Sequence, residues 1–160
     1  MRTRDRAITA EDYEQLAKRA APDIARVRCI PATGPDEAGG VRVLVVPAAV
    51  PDKDQRLTFE DLVPDDETLS AVAAYLDTRR PVGTRVVVEP PYYRGVTVVA
   101  QLTTRPRVSR EALKRTALRA LYEYFDPIRG GPDGEGWPFG RPVQAGEVHS
   151  VLQRLAGTEI

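Results

Sequence analysis

The sequence predicts an α+β fold, in which a mostly antiparallel sheet carries amphipathic helices on one face. Segments rich in Val and Ile alternate with stretches in which apolar residues recur every three or four positions. From Val41 onward the predicted order is β-α-β-β-α, the split pattern of ferredoxin-like folds, and a helix and a strand precede it. The 160 residues suit a single α+β module (1–160), or alternatively two small subdomains over about 1–64 and 65–160.

The first predicted elements are a helix and two strands. Thr9 opens the helix with a capping box in which Asp12 takes the place of the usual Glu, and Pro22 ends it. Residues 24–30 alternate Arg with apolar side chains, which predicts a half-buried strand. Residues 41–46 are a Val-rich run, which predicts a central strand, and the Gly- and Pro-rich stretch between the two strands predicts a loop.

The middle of the chain predicts a helix followed by a hairpin. Asp65 or Asp66 can cap the helix, and Pro81 follows its end. A strand is then predicted over 84–89. After a Pro-Pro break, a second strand is predicted over 93–103, because its apolar residues alternate. The two strands are expected to form an antiparallel hairpin.

The last part of the chain predicts two helices and the start of a strand. Ser109 caps the longer helix, which Asp126 and a following proline close. A short helix is predicted over 148–155 with Gly157 as its C-terminal cap, and residues 158–160 resemble the beginning of a strand.

Composition excludes several function classes. The chain has 23 basic and 23 acidic residues, so it lacks the net positive charge of a dedicated nucleic-acid binder. Cys29 and His149 are the only residues of their types, which argues against a disulfide, a two-His metal site or a cysteine-based zinc site. No stretch reaches the ~20 apolar residues of a membrane span. We therefore predict a cytoplasmic protein with no cofactor and no metal.

Acidic clusters offer the main alternative to a binding module. They lie at 52–54, at 60–61 and at 65–67, and their spacing matches no calcium loop. Loop solvation and helix capping account for them. The competing hypothesis is a small ferredoxin-like ligand-binding domain or enzyme that uses the carboxylates near Glu60 to Asp66. A nucleic-acid-binding α+β module is the third hypothesis, and it requires a basic sheet face with exposed aromatic residues.

Two aromatic segments are candidate protein interfaces. Residues 128–142 contain five glycines and three prolines, which exclude regular structure, and they hold the only tryptophan of the chain. Trp and Arg are preferred anchors of protein interfaces, although the same aromatic residues could instead fold back onto the chain. A second aromatic cluster follows a Pro-Pro pair at the predicted hairpin tip. The candidate interface residues are Trp137, Phe139 and Arg141 in the loop, and Tyr92, Tyr93 and Arg94 at the tip.

Several short segments, in this order, resemble the C-terminal portion of phage baseplate J-like proteins. They begin with Thr9-Ala-Glu-Asp-Tyr-Glu-Gln-Leu-Ala17 and Gly40-Val-Arg-Val-Leu-Val-Val-Pro47. They continue with Ala74-Tyr-Leu-Asp77, Arg80-Pro-Val-Gly-Thr84 and Val86-Val-Val-Glu-Pro90, and end with Gly130-Gly-Pro-Asp-Gly134 and Trp137-Pro-Phe-Gly-Arg-Pro142. No single segment is a catalytic signature, so the resemblance lies in their order and spacing.

The resemblance implies a structural component of the baseplate wedge in a contractile phage tail or injection system. It implies no catalytic residues. The implied partners are other baseplate subunits, namely a related wedge protein, the hub and spike, and the sheath initiator. Family members are longer, so the resemblance also implies a fragment of a longer protein, whose incomplete sheet edge could self-associate.

Overall fold

A computed structural model describes residues 6–34, 38–155 and 158–159, with only the backbone described for the last two. The chain divides into two compact units. Unit 1 comprises Met1–Ala49 and Thr58–Tyr93, and unit 2 comprises Val50–Leu57 and Arg94–Ile160. Residues 35–37 in the middle of the predicted loop, residues 1–5, and the predicted cap Gly157 lie outside the described residues.

Unit 1 contains three strands and two α-helices. Its elements in chain order are α1 (Ala10–Ala20), β1 (Ile24–Pro31), β2 (Val41–Pro47), a 3-10 turn (Glu60–Leu62), α2 (Asp66–Asp77) and β3 (Val86–Glu89). The sheet order is β1-β2-β3. Helix α1 packs against β1, α2 packs against β3, and the two helices contact each other. The α+β class is confirmed.

The core of unit 1 lies between these helices and the sheet. Its fully buried members include Leu16 of α1, Val43 and Val45 of β2, and Val72 and Leu76 of α2. The two β2 residues are separated by two positions and therefore share one face of the strand. The two α2 residues are four apart and share one side of the helix. The predicted periodicities thus identify the residues that form this core.

Helix starts follow the predicted capping pattern. The N–H of Asp12 donates to Oγ1 of Thr9 (3.2 Å), and Oδ2 of Asp12 accepts from the N–H of Thr9 (3.0 Å), which completes the capping box. Asp65 caps α2 by accepting from the N–H of Thr68 (2.6 Å). Each bond satisfies an amide that has no partner within its own helix.

The sheet of unit 1 differs from the predicted mostly antiparallel sheet in the direction of one strand pair. Strands β1 and β2 are antiparallel, but β2 and β3 are parallel, with Val41 opposite Val86 and Leu44 opposite Glu89. The reason is the connection: α2 crosses over between β2 and β3 and returns the chain in the same direction. The sheet is therefore mixed.

The second strand of the predicted hairpin, at 93–103, does not form. The chain is irregular from Pro90 to Leu102, and a strand is found only at Thr103–Thr104. Pro90 and Pro91 have no amide hydrogen to give to a ladder, so pairing along β3 cannot continue through them. The ferredoxin-like order is therefore interrupted after β3.

Unit 2 contains the remaining elements. They are β4 (Thr103–Thr104), α3 (Arg110–Phe125), α4 (Ala145–Gln153) and β5 (Thr158–Glu159). Strands β4 and β5 form a two-stranded antiparallel ladder, and α3 packs against α4. Helix α4 begins three residues earlier than predicted, where the N–H of Gln144 donates to the Glu147 carboxylate (3.2 Å). Among the helices of the described ranges, none is long and apolar enough to cross a membrane.

Candidate interaction surface

The Gly-rich loop of unit 2 is organised by the residue that ends α3. The carboxylate of buried Asp126 accepts from the N–H groups of Ile128 (2.6 Å) and Arg129 (3.1 Å). Its backbone carbonyl accepts from the N–H groups of Gly130 and Trp137, both at 3.0 Å. One residue therefore holds the start of the loop and its tryptophan against the end of the helix.

Gly130 makes the tight return of this loop possible. A Cβ at this position would lie 2.5 Å from the carbonyl oxygens of Glu123 and Tyr124 and 2.7 Å from the backbone nitrogen of Asp126. All three neighbours are backbone atoms, so no side chain can move to make room. The next residue, Gly131, has φ +80, a conformation that residues with a side chain rarely adopt.

Trp137 folds back onto α3. Its ring lies 5.8 Å from that of Tyr124 and 5.0 Å from that of Phe125, at tilted or edge-on angles. Its Nε1–H donates to the carbonyl of Arg141 (3.1 Å). The guanidinium of Arg141 lies 5.3 Å from the Trp137 ring and pairs with Glu147. The structure therefore brings two of the predicted interface residues, Trp137 and Arg141, into one cluster.

This cluster presents polar groups at its surface and keeps its aromatic rings partly covered. Trp137 and Phe139 are half-buried, whereas Arg141 is exposed. A cation stacked on a ring within about 6 Å is attracted by the ring electrons, which restricts the positions of the arginine. The Trp137 ring and Glu147 therefore hold the exposed Arg141 guanidinium in place at the surface of the loop.

The other candidate residues follow β3. Tyr92 is 89% exposed and Arg94 is exposed, but Tyr93 is half-buried. The Tyr93 hydroxyl donates to the carbonyl of Leu62 (3.2 Å), and its ring lies 6.4 Å from Phe59. Burial raises the pKa of Tyr93 to about 12. Tyr93 therefore packs within unit 1, and the accessible groups of this segment are Tyr92 and Arg94.

A basic depression in unit 2 was not predicted from the sequence. It has a volume of about 360 Å³, and its cationic lining residues are Lys53, Arg56, Lys114, Arg115 and Arg119. Arg56 also lies 5.2 Å from the ring of Tyr122. The basic residues of α3 recur at one- and four-residue spacing, which was a visible signal. The spacing does not reveal that these α3 residues lie beside Lys53 and Arg56, which are more than 50 residues away in the sequence.

One carboxylate of each acidic cluster forms a local cap or turn hydrogen bond. Hydrogen bonds lower the pKa values of three exposed carboxyl groups. The N–H of Arg56 lowers the pKa of Asp52, and the hydroxyl of Thr58 lowers the pKa of Asp61. The N–H of Thr68 lowers the pKa of Asp65. Each of these donors lies within four residues of its acceptor. Over the described ranges, no three His, Cys, Asp or Glu side chains come together as metal ligands would.

Cys29 is buried in the sheet of unit 1. Its N–H donates to the Glu14 carboxylate (2.9 Å). Desolvation, together with the negative charge of Glu14, raises the pKa of the Cys29 thiol to about 11. The reactive thiolate is therefore scarce near neutral pH, and the thiol serves as a small apolar core group. His149 lies on the exposed side of α4.

Comparison with known proteins identifies a family and a fold. The family model of the baseplate J-like central domain matches residues 7–90, just over half the chain, and this range falls largely within unit 1. The resemblance drawn from short segments pointed to the C-terminal portion of the family, whereas the matched model describes its central domain. No curated protein matches the chain.

A solved structure is similar over nearly the whole chain. It is the cryo-EM structure of the anti-feeding prophage baseplate, with a TM-score of 0.63 and 19% sequence identity. The match covers 98% of this chain and 32% of that chain, so the present chain spans about a third of the length of that subunit. The structural match shows the shared fold. Because the family model covers more than half the sequence, this chain belongs to the baseplate J-like family.

Proposed function

We propose that this chain is a non-enzymatic structural component of the baseplate wedge in a contractile phage-tail-like particle or injection system. The observation that carries the proposal is the match of the baseplate J-like central domain to residues 7–90. The similarity of the fold to a subunit of an anti-feeding prophage baseplate supports it. The proposed partners are other baseplate subunits, namely a related wedge protein, the hub and spike, and the sheath initiator.

The use of the ionisable groups supports a structural role. Three of the acidic residues singled out in the sequence, Asp52, Asp61 and Asp65, act as cap or turn acceptors. Family members of this kind act by packing, and their interfaces can hold one arrangement until a trigger favours another. The particle would assemble in the cytoplasm, and the balanced charge of the chain supports protein partners over nucleic acid.

Co-expression with the baseplate subunits encoded beside it tests the proposal. We expect a stable complex on size-exclusion chromatography at physiological salt, with fixed stoichiometry. A chain that elutes alone in every combination would overturn the proposal. A thermal-shift screen with divalent metals and common metabolites tests the ligand-binding alternative, since saturating ligand would raise the melting temperature by mass action.

The interface residues are tested in the same complex. We propose that Tyr92 and Arg141 contact a partner, because both are exposed and the Arg141 guanidinium is held over the Trp137 ring. Replacing either with Ala should weaken the complex while leaving the melting temperature of the free chain nearly unchanged. Val82→Ala is the matched control, because Val82 is fully exposed elsewhere in unit 1. Equal affinities for Tyr92→Ala and the control would remove Tyr92 from the interface.

A further inference from the structure

The basic depression in unit 2 concentrates positive charge on a concave surface. Five of its eight lining residues are cationic. The two acidic ones, Asp54 and Glu111, offset less than half of that charge. Like charges held around one concavity create a local potential that attracts anionic groups, even though the whole chain has equal numbers of basic and acidic residues. The depression is therefore a candidate surface for an anionic partner.

A hydrogen-bonded turn forms one side of the depression. The Asp52 carboxylate accepts from the N–H groups of Asp54 (2.8 Å) and Arg56 (2.9 Å). The Arg56 guanidinium lies 5.2 Å from the centroid of the Tyr122 ring, a distance at which a cation and an aromatic ring attract each other. The turn thus has a defined shape, and its contact with α3 holds Lys53 and Arg56 beside that helix.

Helix α3 forms the other side through one exposed face. Lys114 and Leu118 are four residues apart, and so are Arg115 and Arg119, which places these side chains next to one another along the helix. Leu118 is 39% exposed, and Tyr122, one turn further along, is 41% exposed. The face therefore combines cations with accessible apolar groups. Tyr and Arg are among the residues that most often anchor protein interfaces.

Two cations of this face are not neutralised by any described carboxylate. Outside the lining, Asp52 lies near the cations of the turn, and Glu123 pairs with Arg119 (2.9 Å). Lys114 and Arg115 form no ion pair or hydrogen bond with the residues that the structure describes. Their charges are therefore available to carboxylates of another molecule.

The mixture of groups favours a protein partner over a nucleic acid. The two carboxylates of the lining would repel a phosphate backbone. Sites that stack bases use open aromatic faces, whereas the Tyr122 ring already has the Arg56 guanidinium beside it. A polypeptide can place carboxylates at the cations, its N–H groups at Asp54 and Glu111, and an apolar side chain at Leu118.

We propose that the basic depression binds an acidic segment of another baseplate subunit. The segment has carboxylates that pair with Lys114, Arg115 and the cations of the turn. An apolar side chain next to these carboxylates packs on Leu118 and Tyr122. The identity of the partner as a baseplate subunit rests on the proposed function. The charges speed association and set the orientation, and burial of the apolar side chain adds affinity.

Charge reversal in the complex with co-expressed baseplate subunits tests the ionic contacts. Lys114→Glu with Arg115→Glu should weaken the complex about tenfold at low salt, because attractive contacts become repulsive. The difference should shrink as added salt screens the charges. The melting temperature of the free chain should stay nearly unchanged, because neither side chain is bonded within the described part of the chain.

The matched control reverses the same two residue types elsewhere. Lys18 and Arg19 are adjacent and exposed in the last turn of α1, as Lys114 and Arg115 are adjacent and exposed in α3. Lys18→Glu with Arg19→Glu makes the same change in net charge and leaves the basic depression intact. Its affinity should equal that of the unmodified chain. Equal losses for the two double variants would reduce the effect to net charge and overturn the inference.

Truncation of Leu118 tests the apolar contact. Leu118→Ala should weaken the complex about fivefold, because the partner's apolar side chain loses part of the area that it covers. This loss should persist at high salt, since salt screens charges and not apolar burial. Val82→Ala, at a fully exposed position of unit 1, is the control. Equal affinities for Leu118→Ala and Val82→Ala would overturn the apolar part of the inference.

Binding of fluorescent oligo-dT to the free chain tests the nucleic-acid alternative. We expect no change in fluorescence anisotropy at physiological salt, because the lining carboxylates oppose a phosphate backbone. Binding that Lys114→Glu with Arg115→Glu abolishes would assign the depression to phosphate and would overturn the inference.

The outcomes separate this inference from the proposed function. If a complex forms and the Lys114→Glu, Arg115→Glu variant binds as tightly as the unmodified chain, the inference is refuted and the proposed function stands. If no subunit forms a complex, the proposed function fails, and the inference fails with it. A fall in the melting temperature of this variant well beyond that of the Lys18→Glu, Arg19→Glu control would show that the two cations are engaged within the chain, which also refutes the inference.

Discussion

Replacing Gly130 with alanine should disrupt the loop that supports Trp137. The added Cβ would lie 2.5 Å from two carbonyl oxygens of α3 and 2.7 Å from a backbone nitrogen. Carbon and oxygen atoms that are not bonded prefer more than 3 Å. The loop must therefore move away from the end of α3 as a whole, since no flexible side chain lies in the way.

The expected cost follows from the hydrogen bonds that this movement breaks. The N–H of Gly130 donates to the Asp126 carbonyl, that of Gly131 donates to Tyr124 (2.7 Å), and that of Gly136 donates to the Gly130 carbonyl (2.8 Å). Each such bond contributes about 1 kcal/mol net. Loss of all three lowers the free energy of unfolding by about 3 kcal/mol. In a unit of this size that lowers Tm by roughly 15 °C.

Trp137 fluorescence provides the assay, because Trp137 is the only tryptophan and lies within this loop. Two alanine variants are matched controls. Gly134→Ala meets no atom within 4 Å but has φ +72, so only the backbone strain of about 1 kcal/mol applies. Gly146→Ala lies in α4 in open space and should stabilise by about 0.5 kcal/mol. If Gly130→Ala loses no more stability than Gly134→Ala, the close approach inferred at Gly130 is wrong.

Three further predictions concern ionisable groups. Asp126→Ala should lower the free energy of unfolding by about 2 kcal/mol, because two amides lose a charged acceptor. Asp126→Asn should lower it less, because the amide side chain keeps an acceptor oxygen. Equal losses for the two variants in urea unfolding would contradict this. Cys29 should resist thiol reagents at pH 8 until urea unfolds the chain; rapid labelling of the native protein would show that the thiol is accessible. The folded pKa of Asp65 is lowered, so its stabilising contribution is complete above about pH 4 and is lost as pH falls through that pKa. Asp65→Asn should keep the cap and lose less stability in acid, as measured by circular dichroism.

Local signals in the sequence were sufficient for the helices and most strands. The capping box at Thr9 and the cap at Asp65 both form as predicted, since these bonds span three residues. The Val-rich run became the central strand β2, with Val43 and Val45 fully buried. Such features depend on neighbouring residues and on which face is apolar, and both are readable from the sequence.

Features that depend on distant residues were not readable. The parallel pairing of β2 with β3 follows from how α2 packs, and the alternation of apolar residues is compatible with either direction. The sequence is equally compatible with Trp137 as an exposed interface residue and with Trp137 folded back onto the chain. Its half-buried ring against Tyr124 and Phe125 depends on the tight return at Gly130, which no spacing rule reveals.

The irregular stretch before β4 shows the difference between the capacity to form a strand and the formation of one. The alternating apolar residues at 96, 98, 100 and 102 indicate that one side of the stretch could pack on a sheet face. Whether a strand forms also requires a neighbour with open backbone groups, and Pro90 and Pro91 prevent β3 from being continued as that neighbour. The sequence therefore encodes the propensity, and no described residue pairs its backbone with this stretch.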